Sequence, residues 1–538
     1  MNTGFMRNKL FLLAACCLLA VACKDDRPLH PVSPGESSAP DVPVNGITYQ
    51  LNVYSFADSD GDGWGDLKGI VQHLDYLESL GVKALWLSPV QKAQSYHGYN
   101  ITDYSTLNPK FGTESDFKDL IAKASARGIA IYLDYVINHS GSGNTWFQKA
   151  NASATSPYRS YYVFSNNPSA DEAAGTIDNY AGATSPGMGT WYSSPGGGYY
   201  FASFGGDMPD INYGPYDKAS SSESFKALAA SADKWIKMGV AGLRLDAVQW
   251  IYQNQTEANV AFLTQWYDHC NATWKASGGK GDIYMVGECL SNVNVVTPYF
   301  KGLPSMFDFS YWWTLKDRIN TGKGDDFASV IAGFRKGFKN RRAGYVDAIK
   351  LSNHDESRAA EDLGKSLEKE KLAAAVLLTS PGKPFIYQGE ELGYYGNQGG
   401  GDEYVRTPIK WTRTGSVPTV ALNGKVDNNM LSASISVEAQ TADANSLLNH
   451  YRAFTALRNG TPALLNGEMT PVTAASPQIA AWKMLYQGDM VLVLHNFSST
   501  PALAGSFSTI RELIRNGEVT VSGKNITLGA YSSVVYKI

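Results

Sequence analysis

Eight short runs rich in β-branched and aromatic residues recur along the chain with helical patterns between them, and this alternation constrains the fold more than any other feature. The runs occupy residues 48–56, 83–90, 129–136, 242–248, 283–289, 306–309, 348–352 and 384–387. Strand and helix periods that alternate in this way require parallel strands joined by crossover helices. Eight such units fit a closed barrel better than an open sheet, so the expected class is α/β, a (β/α)8 TIM barrel. Thr113 with Asp116 can cap a helix over residues 114–127, and Gly128 can stop it. Residues 224–238, 259–275, 369–378 and 443–458 also space their apolar side chains helically.

Two segments break the alternation. Residues 140–212, after the third run, are far longer than an ordinary βα loop and dense in Gly, Ser, Tyr and Phe. They are expected to form an inserted flap subdomain over the barrel mouth, dividing the barrel into residues 47–139 and 213–461. From residue 462 to 538 the pattern becomes alternating strands, which predicts a C-terminal antiparallel β-sandwich domain.

The N-terminal residues carry targeting information. Arg7 and Lys9 precede an apolar run from Leu10 to Ala22, too short to span a bilayer, so residues 1–22 are expected to be a removable secretory signal. The sequence Val21-Ala22-Cys23 resembles a bacterial lipobox, which makes Cys23 the expected lipidation site. Lys24-Asp25-Asp26 resembles the signal that sends Gram-negative lipoproteins to the outer face of the outer membrane; an ordinary signal with an incidental cysteine is the alternative. Residues 23–46, rich in Pro and Ser, are expected to be a tether. Only Cys270 and Cys289 remain in the folded body, so two buried thiols are expected and no disulfide framework. A net charge of -4 offers no basic excess for nucleic acid, which is not an expected partner.

In a barrel of this kind chemistry sits at the C-terminal ends of the strands. Polar residues recur there: Asp134, Asn138 and His139 after the third run, Arg244 and Asp246 on the fourth, Glu288 on the fifth, and Asn353-His354-Asp355 on the seventh. Glycoside hydrolysis needs paired carboxyl groups, one to attack or activate water and one to protonate the leaving oxygen. Two residues apart on a strand, Arg244 and Asp246 share a face, so the guanidinium is expected to hold Asp246 ionised. Glu288 is expected to stay protonated under the influence of neighbouring carboxylates. A buried Asp–Arg pair is also common as pure structure, and the joint occurrence at one barrel end favours chemistry.

These motifs resemble those of the α-amylase family of glycoside hydrolases: D-x-x-x-N-H at 134–139, R-x-D-A at 244–247, the acid Glu288, N-H-D at 353–355, and Met208-Pro209-Asp210-Ile211-Asn212 beside the family's M-P-D-L-N. The resemblance implies a retaining double displacement with Asp246 as nucleophile, Glu288 as general acid/base and Asp355 as transition-state stabiliser. It further implies that His97, Tyr99, His139, Arg244 and His354 contact the attacked glucose, Tyr99 by stacking.

Alternate carboxylates and glycines in the loop at residues 58–66 suit a hard cation. It is similar to the family's calcium loop, with Asp58, Asp60, Asp62, the Trp64 carbonyl and Asp66 as implied ligands; Mg²⁺ is the alternative to Ca²⁺. An EF-hand does not fit, for no Glu closes the loop. The resemblance implies a second calcium site between barrel and flap from Asn138, Asp210 and a carbonyl near Trp250.

Gln249-Trp250 replaces the Lys-His of many family amylases, and Trp250 offers a stacking platform instead. Ala247 resembles members acting on α-1,4 bonds, where enzymes that cut α-1,6 bonds often have Val. The expected activity is endo-hydrolysis of starch, amylose, amylopectin and maltooligosaccharides. Its rivals are an oligo-α-1,6-glucosidase, a maltogenic or neopullulanase-type hydrolase, and a noncatalytic glycan-binding barrel. Likeness to surface lipoprotein amylases of bacterial starch-utilisation systems implies glycan-binding lipoproteins and an outer-membrane importer as partners, while the flap is too short for an inserted carbohydrate-binding module of ~100 residues.

Overall fold

A computed structural model describes residue 40, residues 42–425, residue 429 and residues 432–538. The expected signal, Cys23 and the tether as far as residue 39 lie outside the described residues. Eight parallel strands close into a barrel: Thr48–Leu51, Ala84–Leu87, Ala130–Tyr135, Gly242–Leu245, Tyr284–Gly287, Ser305–Asp308, Val346–Lys350 and Lys383–Tyr387, the last pairing with the first. The first strand is shorter than predicted, and Val53–Phe56 forms a helical turn. Its ladder ends because the Asn52 N–H donates to Gln388 Oε1 at 2.8 Å and the Val53 N–H to Ser88 Oγ at 3.1 Å. The helix Glu114–Ala126 starts on the predicted capping box of Thr113 and Asp116 and stops before Gly128, whose φ is +67°.

Alternate residues of each strand fill the barrel. Near its N-terminal end Tyr132 and Tyr284, each in register with Gly242, stack with ring centroids 4.8 Å apart. Lys383 Nζ is buried 4.8 Å from the Tyr284 ring and donates to the carbonyls of Val44 and Gly46. Trp86, Phe307 and Phe385 pack in the middle, with Phe307 and Phe385 centroids 5.0 Å apart. Arg244 and its carboxylate partners follow at the C-terminal mouth. An aromatic floor thus closes one end and leaves the charged end for chemistry.

The flap carries the helix Thr145–Ala152 and a three-stranded sheet of Phe164–Ser165, Tyr199–Ala202 and Thr190–Ser193. Its small core joins Val163, Ile177, Tyr180 and Phe201. A bridge between His139 and Asp210 binds the end of the flap to the exit of the third strand, and one between Tyr162 and Ile211 ties that end to the rest of the flap. At the C-terminus a five-stranded and a three-stranded antiparallel sheet face each other. In the strand Ile479–Tyr486, Ala480, Trp482 and Met484 pack with the barrel helix residues Tyr311 and Leu315, whereas Ile479 and Ala481 pack against Ala504 and Ile526 of the smaller sheet. The larger sheet is therefore buried on both faces, and the sandwich is continuous with the barrel core. Cys270 and Cys289 are buried free thiols. Among the described residues no helix is long and apolar enough to cross a membrane.

A Cβ at Gly242 would meet Tyr132 Cδ1 at 2.5 Å and Tyr284 O at 2.9 Å. Gly242→Ala is expected to cost about 1–3 kcal/mol by overpacking the barrel floor. The measurement is a lower urea midpoint at unchanged m-value.

Candidate active site

Arg244 organises the mouth of the barrel. Its Nη1 donates to Asp134 Oδ1 at 2.8 Å and to Asp246 Oδ1 at 2.8 Å, and its Nη2 lies 2.8 Å from Glu288 Oε2 without hydrogen-bond alignment. The guanidinium is buried, and it sits 5.1 Å from the Trp86 ring centroid and 5.8 Å from that of Tyr99. Strand geometry explains the arrangement, for Arg244 is in register with Asp134 on the third strand and with Val286, two residues before Glu288, on the fifth. Immediately after the nucleophile position Ala247 takes a left-handed backbone, φ +50°, which turns its N–H back to Glu288 Oε2 at 3.2 Å. Such strain in a non-glycine residue is stored where function demands it.

One cation shared among three buried carboxyl groups cannot keep all of them ionised, because the excess negative charge would be stranded away from water. Burial pushes the Asp134 carboxyl up to about 6 and that of Asp246 up to about 7, against the pull of Arg244. Glu288 is raised as well, by burial first and then by the charges of Asp246 and Asp355. The expected influences both act, Arg244 pulling Asp246 down and neighbouring carboxylates raising Glu288, and burial, the larger cause at both, is added to them. The cluster holds its protons collectively. Asp246 receives an aligned charge-assisted bond from Arg244 and Glu288 does not, so Glu288 is the better place for the proton.

Asp355 has the opposite environment. Burial would raise its carboxyl, yet the His354 ring 3.0 Å away, Arg406 Nη2 at 2.9 Å and the field of Arg244 hold it well below the usual carboxylate range. Gln50 Nε2 meets His354 Nδ1 at 2.8 Å, so Nδ1 is the acceptor and Nε2 carries the proton towards Asp355 Oδ2 and the Tyr99 hydroxyl, 2.6 Å away. Tyr99 in turn donates to Asp134 Oδ2 at 2.9 Å, and its ring is parallel to that of His354 at 5.4 Å. In the His97-Gly98-Tyr99 turn Gly98 has φ +89° and its missing Cβ would stand 2.9 Å from the Pro89 carbonyl.

His97, Tyr99, His139, Asp246, Glu288 and Asp355 all line one cavity of ≈ 540 Å³. His97 and His139 are each driven down to about 4 by burial and are neutral donors or acceptors. His139 Nε2 has no hydrogen-bond partner among the described residues. Arg244 and His354 lie beneath these groups and act by positioning them. On the other side the lining is apolar, with Met188, Phe204, Met208, Trp250 and Leu290, of which Leu290 is 48% and Phe204 42% exposed. Trp250 therefore stands where a sugar face can stack on it. Cys289 Sγ donates to Gln249 Oε1, which fixes the residue beside it.

The motifs alone did not show Arg406 as the partner of Asp355, or Asp402, which pairs with Arg406 at 2.9 Å. Their only trace is the i,i+4 spacing of two opposite charges. Gln50, which sets the His354 tautomer, and Trp86, which donates to Asp134, were likewise read as strand residues.

In the loop after the first strand, carboxylate oxygens of Asp58, Asp60 and Asp66 lie within 4.8 Å of one another. Asp62 lies outside that cluster, its Oδ2 bound by Lys110 Nζ at 2.9 Å and its Oδ1 by the Trp64 N–H. At the second expected cation site Asn138 Nδ2 lies 3.5 Å from Asp210 Oδ1, and the Trp250 carbonyl accepts from Gln253 Nε2. Donors, rather than free oxygens, surround the Asp210 carboxylate.

Arg406→Met should let burial raise the Asp355 carboxyl from well below the usual carboxylate range, so that kcat/KM falls most at the acid end of the pH profile. Arg244→Lys should lower kcat by more than about 100-fold, because an ammonium cannot fork between the carboxylates. Steady-state kinetics across pH, with circular dichroism to confirm folding, checks both.

Residues 50–467 match the family "Alpha amylase, catalytic domain" and residues 479–535 the "Alpha-amylase SusG C-terminal domain". "Alpha-amylase SusG" of Bacteroides thetaiotaomicron is 37% identical, with all of both chains covered. That alignment runs to 697 positions against 538 residues here, so the relative carries segments this chain lacks. "Alpha-amylase 3" of Dictyoglomus thermophilum is 35% identical, covering 92% of this chain and 93% of that one. The crystal structure of an α-amylase from H.orenii superposes with a TM-score of 0.78 at 30% identity, covering 92% of this chain and 100% of that one. The chain belongs to the α-amylase family of glycoside hydrolases.

Proposed function

We propose that this chain is a retaining, endo-acting α-amylase that hydrolyses α-1,4-glucosidic bonds of starch and maltooligosaccharides. The observation that carries the reading is the set of three acids on one cavity, of which Arg244 bonds Asp246 and approaches Glu288 while Arg406 and His354 hold Asp355. Asp246 attacks the anomeric carbon as Glu288 gives its proton to the leaving oxygen, forming a glucosyl-enzyme ester. Glu288, now ionised, takes a proton from water, which cleaves the ester and restores the resting pair. Asp355 stays ionised and faces the positive charge that develops on the ring. The α-1,4 preference rests on the resemblance of Ala247 to family members that act on α-1,4 bonds. Two relatives, 37% and 35% identical, are named α-amylases, whereas those named oligo-1,6-glucosidases are 26% and 27% identical.

Glu288→Gln is expected to lower kcat on amylose by about 10²–10⁴-fold and to spare the first step on an α-maltosyl fluoride, whose leaving group needs no acid. Asp246→Asn should lose both. Mixed maltooligosaccharides with a rapid fall in amylose viscosity support endo-cleavage; glucose released from isomaltose alone overturns it.

We also propose that the loop at residues 58–66 holds Ca²⁺, with Mg²⁺ as the competing hard cation, and that Asp58, Asp60 and Asp66 supply its carboxylates. Three acids this close without a cationic partner at each suit such an ion. Chelation should remove roughly 2.7 kcal/mol at a hundredfold excess of ion over Kd, read as a lower Tm. Lipid at Cys23 would hold the enzyme on the outer face of the outer membrane, beside glycan-binding lipoproteins and an importer. Cys23→Ser should then appear in the soluble fraction and fail to incorporate labelled palmitate.

A further inference from the structure

The junction between barrel and flap is tied together by one side-chain amide. Gln253 Oε1 accepts from the backbone N–H groups of Gly187 and Met188, both at 3.2 Å. Two backbone donors on one side fix which end of the amide is oxygen, since an NH2 group turned towards them would leave all of these hydrogens without an acceptor. Its Nε2 must then face the other way, and there it meets Ser203 Oγ at 2.7 Å, the Trp250 carbonyl at 3.2 Å and Asp210 Oδ2 at 3.4 Å. Three oxygens converge on this nitrogen, including the two groups, Asp210 and the Trp250 carbonyl, expected to ligate a second cation.

The remaining partners of Asp210 agree. Its carboxylate is buried and accepts from the Ser203 N–H at 2.9 Å, Ser203 Oγ at 2.6 Å and Asn138 Nδ2 at 3.5 Å. All of these are uncharged donors. Asn138 presents its amide nitrogen to Asp210, whereas a shared cation would need its carbonyl oxygen there. Gln253 itself adopts a left-handed backbone, φ +39°, a conformation that persists in a non-glycine residue only when its surroundings over-determine it. The bonds of its amide do so.

We infer that the Gln253 carboxamide stands in for the second cation, so that the barrel–flap junction binds no metal and the flap is held over the active site without a bridging ion. Gln253 follows the nucleophile by seven positions and shares its loop with Gln249 and Trp250 on the cavity wall. The amide therefore sets the flap residues 187, 188, 203 and 210 against the loop that carries the apolar side of the site. The flap is then indifferent to calcium, whatever ion the loop at 58–66 binds.

Equilibrium dialysis of calcium against the full chain tests this and separates it from the first-loop proposal. The expected stoichiometry is one ion in the wild type and none in Asp60→Asn. Two ions in the wild type, or one retained by Asp60→Asn and lost from Asp210→Asn, would overturn the inference. No ion in the wild type sinks the first-loop proposal and upholds this one. Limited proteolysis within residues 140–212 gives a second readout that needs no calcium-loop variant. Flap cleavage should be unchanged by chelator in the wild type and roughly tenfold faster in Gln253→Ala, as local opening becomes easier. Comparable acceleration by chelator alone contradicts a metal-free junction.

Discussion

The buried guanidinium of Arg244 is the interaction on which the site depends. It bonds Asp134 and Asp246, stands beside Glu288, and lies over the rings of Trp86 and Tyr99. Removing one charge from water into this setting is costly, and only several partners acting together can repay it. Because three carboxyl groups compete for one cation, the cluster must retain protons near neutrality, and this scarcity of positive charge makes an acid available on Glu288. A second buried cation beside Glu288 would ionise it and remove the acid. Arg406 avoids that outcome by lying against Asp355, where a permanently ionised carboxylate is useful.

Much of the fold was legible because strand and helix periods differ, and each predicted run overlaps one barrel strand. The exception is instructive. Residues 53–56 keep the apolar, β-branched character of a strand yet form a helical turn, because side chains from distant loops, Gln388 and Ser88, take the backbone donors of residues 52 and 53. No local pattern encodes a partner more than three hundred residues away. The acids of the site were legible for a related reason, since strand ends repeat a geometry that residue spacing reveals. Their pKa ordering was not, because it depends on burial and on counting the charges that one cation must serve.

The two sides of the cavity were unequal in the same sense. His97, Tyr99 and Asp355 belong to compact motifs, whereas the opposite wall is assembled from Met188 and Phe204 of the flap, Trp250 after the fourth strand and Leu290 after the fifth. Apart from Trp250, the members of this wall have no signature in sequence, for they are separately ordinary apolar residues. Its chemistry is nonetheless distinct: hydrogen-bonding groups concentrate on one side and stacking surface on the other. A sugar chain bound across the cavity would be oriented by the first and retained by the second.

That division gives the flap a direct part in the site, since Met188, Phe204 and Met208 of the apolar wall belong to it while the barrel supplies every carboxylate. The relative position of flap and barrel must then be held to the tolerance that chemistry requires. The bridge between His139 and Asp210 places the end of the flap beside a cavity histidine, and the bonds around Asp210 reach Ser203 in the flap and Gln253 beyond the fourth strand. Asp210 and Asp246 are both buried and come from motifs that resemble the same family, yet their surroundings differ. The carboxylate that faces only hydrogen-bond donors fastens two parts of the chain, and the one that faces open cavity on its other side is free to react.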